Sequence, residues 1–308
     1  MSDKYLTILG IFVKDLTFFS NSIPKEGQTV LGKNFNSGPG GKATNQAIAA
    51  KRSGSNVNLI SKIGNDLFGD EAIKLFEEEN ISRKNIFISE SVSTGAAGIY
   101  VNSKGENSII VYPGASSTIS KKEINQAKQS IEESSILLTQ LEVPIAIVEH
   151  SLKIAKSKKI KTILNPAPTD LKALELLQFC DIITPNIHEA SELSGIEIKN
   201  EKDIKKAGNT LLNYGVNEVI ITNGENGFVL FSKDKIYFVP AENFGPTIDT
   251  TGAGDAFNGV LASGINLGMD TLEACKYANA AAAISVTKVG TSLAMPTQEE
   301  INLLLGLS

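Results

Sequence analysis

The feature that most restricts the fold is a series of short apolar runs that do not alternate. They fall at Tyr5–Ile11, Val57–Ile63, Ile136–Leu141, Thr162–Leu164, Asp181–Thr184 and Glu218–Thr222. A strand that is apolar at successive positions buries both of its faces, and such strands belong inside a helix-covered parallel sheet. Amphipathic stretches of helical length separate them, at Lys42–Ser53, Gly69–Asn80, Lys121–Glu133, Ile145–Lys156 and Glu201–Tyr214. Alternation of this kind predicts an α/β fold with a mostly parallel central sheet. Two segments break the rule. Phe12–Asn36 holds two extended runs without a helix between them, and Gly95–Tyr112 reads as a hairpin turning at Asn102-Ser-Lys-Gly105. Together they predict a small separate sheet, either an edge or a cover for a ligand.

No linker, repeat or low-complexity tract divides the 308 residues, so one domain over 1–308 is expected. A net charge of −5 without a clustered basic face excludes a nucleic-acid surface. Cys180 and Cys275 are far apart and outside any Cys-x-x-Cys spacing, as in a reducing compartment. The polar start followed by a short strand-like run, and the lack of a membrane-length apolar run, predict a cytoplasmic protein without membrane contact.

In an open α/β sheet, ligands bind beyond the carboxyl ends of the strands. Polar clusters lie at that edge: Gly38-Pro-Gly-Gly-Lys42, Gln140-Leu-Glu142, Asn165-Pro-Ala-Pro168, Thr184-Pro-Asn186 and Thr222-Asn-Gly224. The most pointed stretch is Asp249-Thr-Thr-Gly-Ala-Gly-Asp255, which opens a helix-like pattern continuing through Gly259. Its glycines let a ligand approach the backbone, and a helix N-terminus favours an anion. Asp255 would repel a resting phosphate there. It is either a base beside one or a simple first-turn cap. Known phosphate loops fit neither segment. Ala43 stands where a P-loop needs Ser or Thr, and Phe257 occupies the third glycine of a dinucleotide fingerprint. Lys42 and Asn45 would share one helix face and suit hydroxyl groups.

The motifs Gly40-Gly41-Lys42-x-x-Asn45 and Asp249-Thr-x-Gly-Ala-Gly-Asp255-x-Phe-x-Gly259 resemble the two signatures of the ribokinase (PfkB-type) carbohydrate kinase family. Asn165-Pro-Ala-Pro168, Thr184-Pro-Asn186-x-x-Glu189, Ile221-Thr-x-Gly224 and Ala280-Ala-Ala-Ala-Ile284-x-Val-Thr287 follow in the family's order. The resemblance implies a three-layer α/β/α fold with a small β lid formed by about 12–36 and 95–112, through which two copies pair as a homodimer. It implies ATP-dependent phosphorylation of the 5-hydroxyl of D-ribose, with Mg²⁺ and a K⁺ activator. Asp255 matches the base, and Gly252, Ala253 and Gly254 the anion hole. Asp15, Gly41, Lys42, Asn45 and Glu142 match sugar contacts. Asn186 and Glu189 match the Mg²⁺ and phosphate motif. Thr222, Gly224, Gly227 and Asn279 match nucleotide contacts. Asp249, Thr251, Ser285, Lys288 and Gly290 match a monovalent-cation loop that works mostly through backbone oxygens.

Two departures stand out. Val13 replaces an Asn frequent two residues before Asp15, and Ala294 replaces a Ser frequent in the cation loop. His150 and His188 match no catalytic position, and His188 is expected to face solvent. A 2-deoxyribose or other pentose kinase is the neighbouring reading, because Val13 removes a polar contact. A non-catalytic sugar sensor would need neither Asp255 nor the glycines, and an NAD-dependent dehydrogenase would need the missing fingerprint.

Overall fold

The computed structural model describes residues 5–307; the polar start at 1–4 lies outside them. Its strands are β1 (Tyr5–Leu9), β2 (Val13–Phe19), β3 (Asn34–Gly40), β4 (Asn56–Gly64), β5 (Ile86–Ser89), β6 (Thr94–Val101), β7 (Asn107–Gly114), β8 (Ser134–Thr139), β9 (Lys161–Leu164), β10 (Ile182–Ile183), β11 (Glu218–Thr222), β12 (Phe228–Phe231) and β13 (Ile236–Val239). A nine-stranded sheet runs in the order β13-β12-β11-β10-β9-β8-β1-β4-β5. It is parallel from β11 to β5, and the β12 and β13 pairings are antiparallel.

The apolar runs form strands here because consecutive residues supply opposite layers. Ile8, Leu138, Ile163, Ile182 and Ile220 join one core with Ala47, Val260, Leu261 and Ala278 from the helices Lys42–Arg52, Ala253–Asn266 and Thr271–Ser285. Their neighbours Leu9, Leu137, Leu164, Ile183 and Ile221 join the other with Val148, Leu152 and Leu211. This is a three-layer α/β/α arrangement. One expected helix is divided: Lys121–Glu133 forms two short helices, Lys121–Gln126 and Lys128–Glu132. Beyond the joint, buried Ser130 receives Thr7 Oγ1 on its carbonyl and Asn85 Nδ2 on its hydroxyl. The strand β5 and the hairpin β12–β13 are additions to the elements read from sequence.

The irregular segments form a second, four-stranded sheet, β3-β2-β6-β7. Its hairpin turns where expected, with Gly105 at φ 80° and its N–H on Asn102 O. β3 runs on to Gly40, past the anticipated end at Asn36, so this sheet reaches the start of the helix Lys42–Arg52. Among the described residues no helix is long and apolar enough to cross a membrane.

Candidate active site

The parallel strands converge at their carboxyl ends on a cavity of about 200 Å³, lined by Lys42, Asn165, Thr184, Glu189, Gly254 and Asp255 among others. A larger cleft of about 550 Å³ opens between the β12–β13 hairpin and the helix Glu201–Leu212, but none of the predicted site residues line it. The chemistry is therefore concentrated in the smaller cavity.

Two helices build its floor. A Cβ at Gly259 would run into the backbone carbonyl of Gln46 and approach Ala49, so glycine lets Lys42–Arg52 and Ala253–Asn266 touch backbone to backbone. One turn before Gly259, Asp255 consequently meets Asn45 and Gln46, four and five residues along from Gly41. Asn45 Nδ2 donates to Asp255 Oδ2 at 2.8 Å, and Gln46 Nε2 donates to Oδ1 at 2.9 Å. Asp255 is only 7 % exposed. Its carboxylate oxygens are thus engaged by side-chain amides of another helix, and a simple capping role does not account for them.

Gly252 begins that helix at φ 84°, a left-handed conformation that glycine adopts without strain. Gly254 differs: its φ is not positive, and an added Cβ would meet nothing within 4 Å. Helical glycine costs about 1 kcal/mol relative to alanine. Neither backbone strain nor packing calls for it, and the space beside it opens into the cavity. Across the cavity, Asn186 and Glu189 form a reciprocal capping box, with Asn186 Oδ1 accepting Glu189 N–H and Glu189 Oε2 accepting Asn186 N–H. The box orients the Glu189 carboxylate while using one of its oxygens. Adjacent His188 is exposed, as expected.

On the opposite wall, Gly41 has φ 92°, and a Cβ there would press on Ile11 O at 2.6 Å. Lys42 N–H then donates to Glu142 Oε2 at 3.0 Å. Asp15 projects from β2 against Gly40, and Thr291 Oγ1 donates to it at 3.5 Å and to Pro39 O at 2.9 Å. Burial pushes Glu142 up to about 7 against the pull of Lys42. Burial likewise raises Asp15 to about 6, partly offset by the Thr291 hydroxyl, and raises Glu189. Burial works against the Lys42 ammonium, but Asp255, Glu142 and Glu189 together hold its pKa above the ordinary lysine value. One cation thus sits among several carboxyl groups that can accept hydroxyl donors.

The expected cation-loop residues also come together. Asp249 accepts Thr251 N–H at 2.9 Å on one oxygen and Gly290 N–H at 3.0 Å on the other, and its own N–H reaches Val286 O. Ser285 Oγ turns back to Ala282 O, and Lys288 Nζ pairs with Glu300, so these two offer the loop only backbone. Buried Ala294 closes the 3₁₀ turn Ser292–Ala294. At the proposed nucleotide end, Gly227 is already required by the protein: at φ 86° its Cβ would strike the Val239 carbonyl. Thr222 lines the cavity, and Gly224 starts the turn after β11. Asn279 Nδ2 holds Pro240 O at 2.8 Å. Among the described residues no group of three or more His, Cys, Asp and Glu could hold a metal. Near the cavity, Glu189 and Asn186 offer oxygen donors of the kind that Mg²⁺ takes together with water.

Sequence motifs alone missed a polar chain behind Asp255. Gln46 Oε1 accepts Gln140 Nε2, and Gln46 Nε2 is shared with Asn165 Oδ1 at 3.2 Å. Ser292 Oγ donates to Asn45 Oδ1 at 2.6 Å. The only available signal was Gln46's position beside Asn45.

Residues 3–298 match the pfkB family carbohydrate kinases. The chain is 39 % identical to a ribokinase of Haemophilus influenzae over 297 residues, 96 % of this chain and 97 % of that one. It is 34 % identical to a deoxyribokinase of Salmonella typhi over 305 residues, 98 % and 99 % of the two chains. The solved structure of an Arabidopsis thaliana ribokinase complexed with ribose and ATP superposes with a TM-score of 0.90 at 26 % identity, covering 99 % of both chains.

Proposed function

The chain belongs to the pfkB family of carbohydrate kinases, and on that premise we propose that it transfers the γ-phosphoryl group of ATP to the 5-hydroxyl of D-ribose. The observation that carries this reading is the buried Asp255 carboxylate, held by Asn45 and Gln46 beside the open helix start at Gly254. Asp255 takes the proton of the 5-hydroxyl as its oxygen forms the bond to phosphorus and the bond to ADP breaks. The backbone at Gly252, Ala253 and Gly254 stabilises the charge of the transferred group. Asp15, Gly41, Lys42, Asn45 and Glu142 hold the sugar. Thr222, Gly224, Gly227 and Asn279 bound the nucleotide. Phosphoryl transfer needs positioning and charge neutralisation more than covalent help, and these residues supply both.

Bound Mg²⁺ would neutralise charge on the phosphates, with Asn186 and Glu189 ordering its waters. K⁺ would sit against Asp249 and backbone oxygens around Thr251, Ser285, Lys288 and Gly290. The protein acts as one domain, in the cytoplasm, as a homodimer joined through the small sheet. A 2-deoxyribokinase is the second reading, favoured by the apolar Val13 on the strand that carries Asp15 and by the Salmonella typhi relative.

A coupled assay of kcat/KM for both sugars, in K⁺ and in a large organic cation, tests the proposal. Buried polar groups left without a hydroxyl partner penalise an analogue by up to roughly 10⁴-fold. Asp15, Lys42, Asn45 and Glu142 therefore favour ribose, with Val13 reducing the margin. Equal values or a 2-deoxyribose preference would replace the first reading with the second. Rates indifferent to the cation would remove K⁺.

A further inference from the structure

We infer that Gln46 is a positioning residue for Asp255, through an amide chain that begins at Gln140 and Asn165. Gln46 is fully buried, although a glutamine at that depth must satisfy both ends of its amide. It does so with Asp255 in the first turn of its helix and with Gln140 and Asn165 just past the carboxyl ends of β8 and β9. Its Nε2 donates to Asp255 Oδ1 at 2.9 Å and to Asn165 Oδ1 at 3.2 Å, while its Oε1 accepts Gln140 Nε2.

Asn165 and the Asp255 carboxylate fix the amide's direction, whereas Gln140 has no second partner for its own Oε1. Asn165 Nδ2 donates to Thr184 O at 3.3 Å, which turns the Asn165 oxygen towards Gln46. Gln140 presents its nitrogen to Gln46 from the other side. A reversed Gln46 amide would set oxygen against the Asp255 carboxylate and the Asn165 oxygen, and nitrogen against nitrogen. Only one orientation is satisfied, and in it a neutral N–H fixes the carboxylate without neutralising it. Lysine here would form an ion pair with the base, and glutamate would repel it. The Gly259 contact brings Gln46 within reach, because that glycine packs on the Gln46 carbonyl. Asn45 holds the other oxygen but also lies among the sugar contacts. Gln46 is the holder dedicated to orientation.

This inference rests on the reading of Asp255 as the base, and the experiment separates the two. Steady-state kinetics are measured for Gln46→Met, Asp255→Asn and the double variant, with ribose and ATP. Gln46→Met should lower kcat by about 10–100-fold, the range expected when a reacting group is misplaced by about 1 Å. The sugar KM should remain within about threefold, because the lost interaction acts in the transition state. In the Asp255→Asn background the same substitution should change kcat by less than about twofold, since no base remains to be oriented. Gln140→Met gives the same pair of comparisons with a smaller loss, and replaces Gln46→Met if that variant does not fold. An equal loss in both backgrounds overturns the inference in favour of plain packing. A loss carried by the sugar KM makes Gln46 a sugar contact, and an unchanged kcat removes it altogether. Wild-type turnover in Asp255→Asn would instead defeat the base itself.

Discussion

The two sheets of this molecule solve opposite problems. The nine-stranded sheet has helices on both faces, and its central strands are buried almost throughout, as in β8, β9 and β11. The four-stranded sheet leaves both edge strands exposed, β3 from Asn34 to Ser37 and β7 from Asn107 to Tyr112. Ile109 and Val111 point to one face of it, and Ile110 and Tyr112 to the other. Phe18 stacks on Tyr100 and leans on Phe35 without covering them, and Phe35 remains 50 % exposed. The cavity residues thus gather at the covered sheet, and the sheet with open apolar edges meets that region through its base, at Asp15 and Gly40. Buried, hydrogen-bonded side chains gather at one sheet, and open strand edges with exposed apolar side chains at the other, a surface that invites association.

The strongest test of that division is Asp255→Asn. If the large sheet alone carries the chemistry, kcat should fall by about 10²–10⁴-fold with sugar binding largely kept. Turnover within a few-fold of wild type would end the division at its centre. A smaller effect should come from Ile110→Lys on β7. Light scattering at micromolar concentration should then report monomers instead of dimers, with a several-fold rise in sugar KM. The melting temperature should fall and lose its dependence on protein concentration, because the partner no longer stabilises the folded chain. A dimer unaffected by this charge would move the interface off the small sheet.

The smallest effect compares one acid from each sheet. Glu142 is held at about 7 and Asp15 at about 6, both above their unfolded values. A raised carboxyl pKa means that the folded state retains the proton longer. Stability from each group is therefore present at low pH and lost as pH rises, from about 4 to 7 for Glu142 and from about 4 to 6 for Asp15. Glu142→Gln should raise the unliganded melting temperature by about 2–4 °C at pH 8 and hardly at all at pH 5. Asp15→Asn should reach its full gain about one pH unit earlier. Identical gains at both pH values would mean that burial of these acids does not set the dependence.

Much of this architecture was legible because burial on both faces leaves a plain mark. Ile8-Leu9, Ile182-Ile183 and Ile220-Ile221 each give one residue to each core, so the strands read as unbroken apolar blocks. The hairpin β12–β13 was not legible as structure, because Gly224 and Gly227 in the turn that leads into it from β11 have the same composition as a ligand loop. Gly227 in fact meets a steric need of the hairpin. Asp255, Lys42 and Asn45 announced themselves through charge and spacing at helix starts. Gln46 carries neither signal. Its partners Asp255, Asn165 and Gln140 lie 209, 119 and 94 positions away in sequence, and only the fold assembles them. Thr291 and Ser292 escaped for the same reason: hydroxyls in a loop are ordinary until Asp15 and Asn45 are beside them.

The backbone contact at Gly259 has an evolutionary consequence. Where two helices meet main chain to main chain, no graded substitution exists: the smallest side chain already collides with Gln46 O. The cradle of Asp255 can be inherited or lost, but it has no intermediate forms to explore. Val13 stands on the small sheet, outside that helix–helix contact. On the proposed reading, a lineage with this scaffold exchanges one sugar for another by drift along β2 while its phosphoryl chemistry stays frozen.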